Sequence, residues 1–155
     1  MVDTSVSVSG GTFSAVIAGL IRTARPKQWS KNVLVFAAPG AAGVLNQGRE
    51  FILTVIVFVA FCFAASAVYF WNDLIDVEAD RLHPTKRFRP IAAGDVSITA
   101  ARVAGIVLPA AAFACTALTN RWETVAVVAV YLAINLGYNL GLKRIPVVDL
   151  VAGFV

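Results

Sequence analysis

Asn72-Asp73-Leu74-Ile75-Asp76-Val77-Glu78-Ala79-Asp80 follows directly on an apolar run from Phe51 to Trp71. That run has 21 residues. As a helix it is about 31 Å long, enough to cross a bilayer. At 100° per residue, the aspartates at i, i+3 and i+7 return to within roughly 60° of one another, so Asp73, Asp76 and Asp80 are expected on one helical face. Glu78 falls on the opposite side. Ser66 and Tyr69 continue the stripe up into the apolar run by steps of three and four. Carboxylates at the mouth of a membrane helix are costly and are usually retained for function. Hard oxygen donors on one face suit Mg²⁺, which is commonly shared with a phosphate substrate. The stretch thus predicts an intramembrane enzyme that handles a diphosphate.

Composition agrees with a membrane setting. The 155 residues are 59% hydrophobic and 14% charged, with a mean hydropathy of +0.78. These values describe a polytopic membrane protein rather than a soluble core. The net charge of +4 comes from basic residues between apolar runs, not from a continuous stripe, so nucleic acid is not an expected partner. Cys62 and Cys115 sit inside apolar runs without partner spacing and read as packing residues.

Outward from the aspartates, the chain reads as an all-α transmembrane bundle with four complete spans and the start of a fifth. Met1 to Thr12 reads as a flexible tail without the charged n-region of a cleavable signal peptide. Residues 13–155 read as one domain. Phe13 to Ala24 suits a short helix lying in the cytoplasmic interface. Arg25-Pro26-Lys27-Gln28-Trp29-Ser30-Lys31-Asn32 then surrounds an interfacial Trp with cations. Val33 to Leu45 is the expected first span, interrupted at Pro39-Gly40. Phe51 to Trp71 is the second. Ser97 is positioned to cap a third, Ile98 to Thr119, and Thr124 to Leu142 forms the fourth. The apolar run opened by Pro146 reaches Val155 after about ten residues, half of a span, so a longer parent protein is expected.

Orientation follows from the cations. Arg22, Arg25, Lys27, Lys31, Arg81, Lys86, Arg87, Arg89, Lys143 and Arg144 share one side, with Arg102 near it, leaving only Arg49 and Arg121 opposite. By the positive-inside rule the aspartates face the cytoplasm of a multi-pass plasma-membrane protein.

Three further groups carry candidate chemistry. Lys86, Arg87 and Arg89 stand a few residues beyond the aspartates, where cations suit diphosphate oxygens. Ordinary membrane topology or anionic-lipid contact is the plainer reading of any one of them. Lys27, Gln28, Lys31 and Asn32 bring cations and amides to the same membrane face, either as phosphate contacts or as a juxtamembrane anchor. Tyr131, Asn135, Tyr138 and Asn139, followed by Lys143 and Arg144, form a polar stripe on an apolar helix. That stripe suits a cavity wall or interhelical hydrogen bonds. Asp149 is either a ligand or the partner of a cation such as Lys143, and lone His83 reads as a loop residue. A cation-coupled transporter would need acidic residues deeper in the membrane than these.

Asn72-Asp73-x-x-Asp76-x-x-x-Asp80, the Arg89-Pro90-x-x-x-Gly94 loop and Tyr138…Lys143-Arg144 resemble the motifs of the UbiA superfamily of intramembrane prenyltransferases. Arg25 to Asn32, continued by Val33 to Pro39, is similar to the opening of its phosphoribosyl-transferring branch in actinobacteria. The resemblance implies a UbiA-type helical bundle with Mg²⁺ held by Asn72, Asp73, Asp76 and Asp80, the three aspartates being catalytic. It implies transfer of a 5-phosphoribosyl group from phosphoribosyl pyrophosphate to decaprenyl (polyprenyl) phosphate, releasing pyrophosphate, in arabinan cell-wall precursor synthesis. Lys27, Gln28, Lys31, Asn32, Tyr69, Lys86, Arg87, Arg89, Tyr138 and Lys143 are the substrate-binding residues expected on this basis. A homo-oligomer is left open. The alternative is a UbiA-type enzyme joining a prenyl diphosphate to an aromatic acceptor. The superfamily also carries a second aspartate-rich motif, expected beyond Val155, without which the chain would not be competent alone.

Overall fold

The structure, a computed structural model, describes residues 10–141, with side chains from Phe13 onward. The expected start of a fifth span, with Lys143, Arg144 and Asp149, and most of the expected tail lie outside the described residues. Among these residues seven α-helices follow in order: α1 (Gly10–Ala24), α2 (Ala37–Ala41), α3 (Gly48–Ile75), α4 (Val77–Leu82), α5 (Pro90–Ala93), α6 (Ile98–Ala117) and α7 (Trp122–Leu140). A 3-10 segment, Pro26–Phe36, joins α1 to α2. Among the described residues, α3, α6 and α7 are the helices long and apolar enough to cross a membrane.

The 28-residue α3 is the axis of the bundle. Its inner face is lined by small residues, with Ala60, Ala64, Ala65, Ser66 and Ala67 all buried. Small residues let neighbouring backbones approach closely, the usual basis of helix association in lipid. α6 uses that closeness at Gly105, where Trp71 Nε1 donates to the carbonyl oxygen at 2.9 Å. A Cβ on Gly105 would stand 3.1 Å from the Trp71 ring. Val68 and Ala64 of α3 meet Ala112 of α6 and Val128 and Leu132 of α7 in the main core. Ser97 caps α6 as expected, its hydroxyl accepting from Ala100 N at 3.1 Å.

The first crossing differs from expectation. Val33 to Leu45 does not form an α-helical span. Its first residues belong to the 3-10 segment, and only Ala37–Ala41 is α-helical. Pro39 has no N–H to give a continuing helix, and the chain turns by Gly43, whose φ is +68°. The segment that lies along α3 instead begins at Pro26. Trp29 reaches Ser66, Asn32 reaches Cys62, and Phe36 packs on Phe58 and Phe51. It therefore runs antiparallel to α3. With 2.0 Å per 3-10 residue and 1.5 Å per α residue, Pro26 to Ala41 covers about 30 Å in fewer residues than an α-helix needs.

At the end of the bundle that carries the aspartates, α1 lies over the turn that leads into α6. Gly19 meets Val96 there so closely that a Cβ would come within 2.7 Å of it. Arg22 pairs with Asp95 at 2.6 Å. Phe13, Ile17 and Ile21 remain exposed along one side of α1, as an interfacial helix requires.

Candidate active site

The aspartate stretch is not one continuous helix. α3 ends at Ile75, and Asp76 sits at the junction with φ −94° and ψ 4° before α4 resumes at Val77. Backbone hydrogen bonds carry through the junction, Asp76 N to Asn72 O at 3.0 Å and Asp80 N to Asp76 O at 2.8 Å, so Asp80 stays near Asp73. Asp73 and Asp76 line a cavity of about 370 Å³ with Asn72 and Tyr69, whereas Asp80 is buried outside its lining.

One cation organises the two buried aspartates. Arg89 Nη1 lies 2.7 Å from Asp80 Oδ2 and 3.2 Å from Asp73 Oδ1. Arg89 immediately precedes Pro90, the first residue of α5, and that turn is closed by Gly94 at φ +87°. Proline there presets the backbone and loses no helical hydrogen bond, so the short helix fixes the base of the arginine. Arg25 supplies the second cation. Its Nη2 lies 3.2 Å from Asp73 Oδ1, and its guanidinium sits 4.6 Å from the centre of the Tyr69 ring. Arg25 has φ 51° and ψ 60°, a left-handed conformation that costs an ordinary residue about 1–2 kcal/mol. The surroundings enforce it. Ser66 Oγ accepts from Trp29 Nε1 at 3.1 Å and shares its one proton between Cys62 O at 2.8 Å and Ala24 O at 3.1 Å, contacting the chain on both sides of Arg25. Strain held in place by its neighbours is typical of functional sites.

The opposite wall belongs to α7. Tyr131, Asn135, Tyr138 and Asn139 all line the same cavity, as do Lys86 and Arg89. Of the residues expected at the site, the structure thus unites Tyr69, Asn72, Asp73, Asp76, Lys86, Arg89 and Tyr138. It separates others. Asn32 donates to Cys62 Sγ at 3.5 Å, and Lys27 and Gln28 line a neighbouring hollow that shares Arg25 with the site. Lys31 faces an outer groove beside Leu34, and Arg87 stacks on Phe88 with its guanidinium 4.8 Å from the ring centre. Lys143 lies outside the described residues. Arg25 enters the site without any spacing signal in the sequence. The α7 residues were marked by a polar stripe on an apolar helix.

The donor set fits Mg²⁺ shared with a phosphate ligand. Asn72, Asp73 and Asp76 offer hard oxygens at one cavity wall, and both arginine contacts to Asp73 fall on Oδ1. No group of three or more His, Cys, Asp or Glu residues able to hold a metal occurs among the described residues. Mg²⁺ typically takes one or two carboxylates and completes its shell with water and substrate phosphates.

The family model of the UbiA prenyltransferase family matches residues 33–155. The chain belongs to this family. As a UbiA family member it is similar to the decaprenyl-phosphate phosphoribosyltransferase of Corynebacterium glutamicum, 51% identical over 136 residues, covering 85% of this chain and 41% of that protein. The Mycobacterium tuberculosis protein of the same name is 48% identical over 143 residues, covering 87% of this chain and 46% of its own length. A 4-hydroxybenzoate octaprenyltransferase of Acidovorax ebreus is 37% identical over 108 residues, covering 69% of this chain and 36% of that protein. The chain spans less than half the length of these relatives.

Proposed function

We propose that this chain forms the cation- and carboxylate-bearing part of an intramembrane phosphoribosyltransferase. It takes phosphoribosyl pyrophosphate and a polyprenyl phosphate such as decaprenyl phosphate, and it releases pyrophosphate on the cytoplasmic side of the plasma membrane. The product would feed arabinan cell-wall synthesis. The observation that carries this reading is the meeting of Arg25, Lys86 and Arg89 with Asn72, Asp73 and Asp76 in one cavity at the end of α3. The relatives named for this reaction support the choice of substrates.

In this reading Asn72, Asp73 and Asp76 would hold Mg²⁺, which would supply positive charge where the leaving group becomes negative. Arg25, Lys86 and Arg89 hold the remaining phosphate oxygens by charge-assisted hydrogen bonds. Asp80 acts through Arg89, fixing the guanidinium from behind. The bond between ribose C1 and the pyrophosphate oxygen breaks, and its electron pair leaves with pyrophosphate. An anionic oxygen of the lipid phosphate forms the new bond to C1. No proton has to be removed from that oxygen, so the site needs no strong general base.

The Acidovorax relative favours a second reading, transfer from a prenyl diphosphate to an aromatic acceptor. Membranes bearing the full-length protein, incubated with labelled phosphoribosyl pyrophosphate or with a labelled prenyl diphosphate, separate the two. Label is expected in a polyprenyl-phosphate lipid from the first donor. Label transferred only from the second would overturn the proposal. Removing divalent metal with EDTA should stop transfer, and added Mg²⁺ should restore it.

A further inference from the structure

Ser66 belongs to the polar stripe that runs down α3 into the aspartates, yet it is fully buried and stands outside the cavity lining. Alanines flank it on both sides in the sequence, so packing alone does not call for a hydroxyl there. Its hydrogen bonds do. The one to Cys62 O, four residues back, is ordinary for a helical serine. The contacts with Trp29 Nε1 and Ala24 O are not local, for they reach across 37 and 42 residues to the two sides of the turn at Arg25. That turn is left-handed, and Gln28 N closes it on Arg25 O at 2.9 Å. Ser66, Tyr69 and Asp73 stand at i, i+3 and i+7 on one face of α3. Seven helical residues separate the serine from the carboxylate by about 10.5 Å along the axis. Arg25 spans this interval: its backbone is tied beside Ser66, its guanidinium lies 4.6 Å from the centre of the Tyr69 ring, and its Nη2 meets Asp73 Oδ1 at 3.2 Å. All three attachments belong to one helix, so α3 and not the loop sets how far the guanidinium reaches into the cavity.

We propose that Ser66, with Trp29 as its donor, is a positioning residue that mounts Arg25 for the diphosphate. The inference rests on the reading that places Arg25 on phosphate oxygens, and it adds two residues that act through that arginine without touching the substrate. A long side chain set in place before the ligand arrives has less rotamer freedom left to lose on binding. Without the Ser66 hydroxyl, the Trp29 N–H and the Ala24 carbonyl lose the partner that joins them. The left-handed turn at Arg25 then lacks its tie to α3 and relaxes, and the guanidinium must be ordered by the ligand itself. Trp29, which the sequence marks as an interfacial anchor, thus belongs to the frame of the site.

The test is a double-mutant cycle on the full-length protein in detergent, with inorganic pyrophosphate as the probe and its affinity in the presence of Mg²⁺ measured by calorimetry. Binding is read directly, so inactive variants remain informative. Ser66→Ala should weaken pyrophosphate about 2- to 12-fold, the net worth of one hydrogen bond. In an Arg25→Gln background the same substitution should change the affinity hardly at all, because the group it positions is gone. Trp29→Phe, which deletes the donor to Ser66 and keeps an aromatic ring, takes its place in the cycle if Ser66→Ala fails to accumulate. A loss of the same factor in both backgrounds would show a general structural role and overturn the inference. Unchanged affinity in Ser66→Ala, or in Arg25→Gln alone, would overturn it as well. Failure of the wild-type protein to bind pyrophosphate would sink the inference and the diphosphate site together. The expected cycle in a protein that transfers nothing from phosphoribosyl pyrophosphate would leave the mounting of Arg25 standing and refute only the choice of donor.

Discussion

Replacing Asp80 by asparagine separates a residue that binds the metal from one that positions a cation. In the structure Asp80 is buried, lies outside the cavity lining, and meets Arg89 Nη1 at 2.7 Å. The amide of Asp80→Asn would keep an oxygen for that contact, so only the ionic part of the bond is lost. Charge-assisted hydrogen bonds are worth about 1.5–3 kcal/mol against about 1 kcal/mol for neutral ones, so the loss is about 0.5–2 kcal/mol. If Arg89 transmits all of it to the transition state, kcat/KM falls roughly 2- to 30-fold. The Mg²⁺ concentration giving half-maximal rate should stay where it is. Asp76→Asn should behave differently, because Asp76 lines the cavity beside Asn72 and Asp73. Its half-saturating Mg²⁺ should rise steeply and its transfer should nearly vanish. Magnesium titrations of both variants in membranes, with labelled phosphoribosyl pyrophosphate, supply the assay. If Asp80→Asn raises the Mg²⁺ requirement as much as Asp76→Asn does, then Asp80 binds metal in the working enzyme, and its assignment behind Arg89 is refuted.

Asp73→Ala should abolish transfer, since it removes a cavity carboxylate and leaves Arg25 and part of Arg89 without their anion; wild-type turnover would refute the metal assignment. Arg89→Met should lower thermal stability in detergent markedly, because breaking a buried ion pair from one side costs about 3–5 kcal/mol. Arg89→Lys should recover part of the stability but little activity, as a single ammonium cannot reproduce the arginine's bridge between two carboxylates. Arg81→Ala removes an exposed pair with Glu78 within α4 and should change stability by less than about 1 kcal/mol. Gly19→Ala should destabilise by about 1–3 kcal/mol through overpacking on Val96, and Val96→Ala in the same chain should relieve it, a coupling that a double-mutant thermal series would measure.

The spans were legible wherever one signal dominated. A long apolar run without breakers produced α3, and the Ser97 cap fixed the start of α6 to the residue. The segment from Pro26 to Ala41 was misread because hydropathy windows assume 1.5 Å per residue. Lys27, Gln28, Lys31 and Asn32 lowered the apparent hydrophobicity of its first half, so the expected span was pushed toward Val33. A 3-10 segment needs fewer residues for the same length and can carry polar side chains where a neighbour receives them, as Cys62 receives Asn32. Nothing in the local composition announces that choice. The partner surface of α3 makes it.

At the site, the stretch from Asn72 to Asp80 turns at Asp76 but keeps its backbone hydrogen bonds, and Asp73 and Asp80 meet the same Arg89 nitrogen. What decides the geometry is a cation 16 residues away from Asp73 in sequence and another 48 residues away on the other side, Arg89 and Arg25. Both arginines converge on one oxygen of Asp73. The sequence marked Arg89 as a diphosphate contact, but no spacing rule tells that it also spans two carboxylates. Such a bridge has a functional consequence. A cation bound to buried anions on one side is held at a fixed distance from whatever binds on the other, and little ordering remains to be done when phosphate arrives. On the proposed reading the aspartate stretch would do two things at once: Asp73 and Asp76 line the cavity where the substrate would bind, while Asp73 and Asp80 hold the arginine that would meet it.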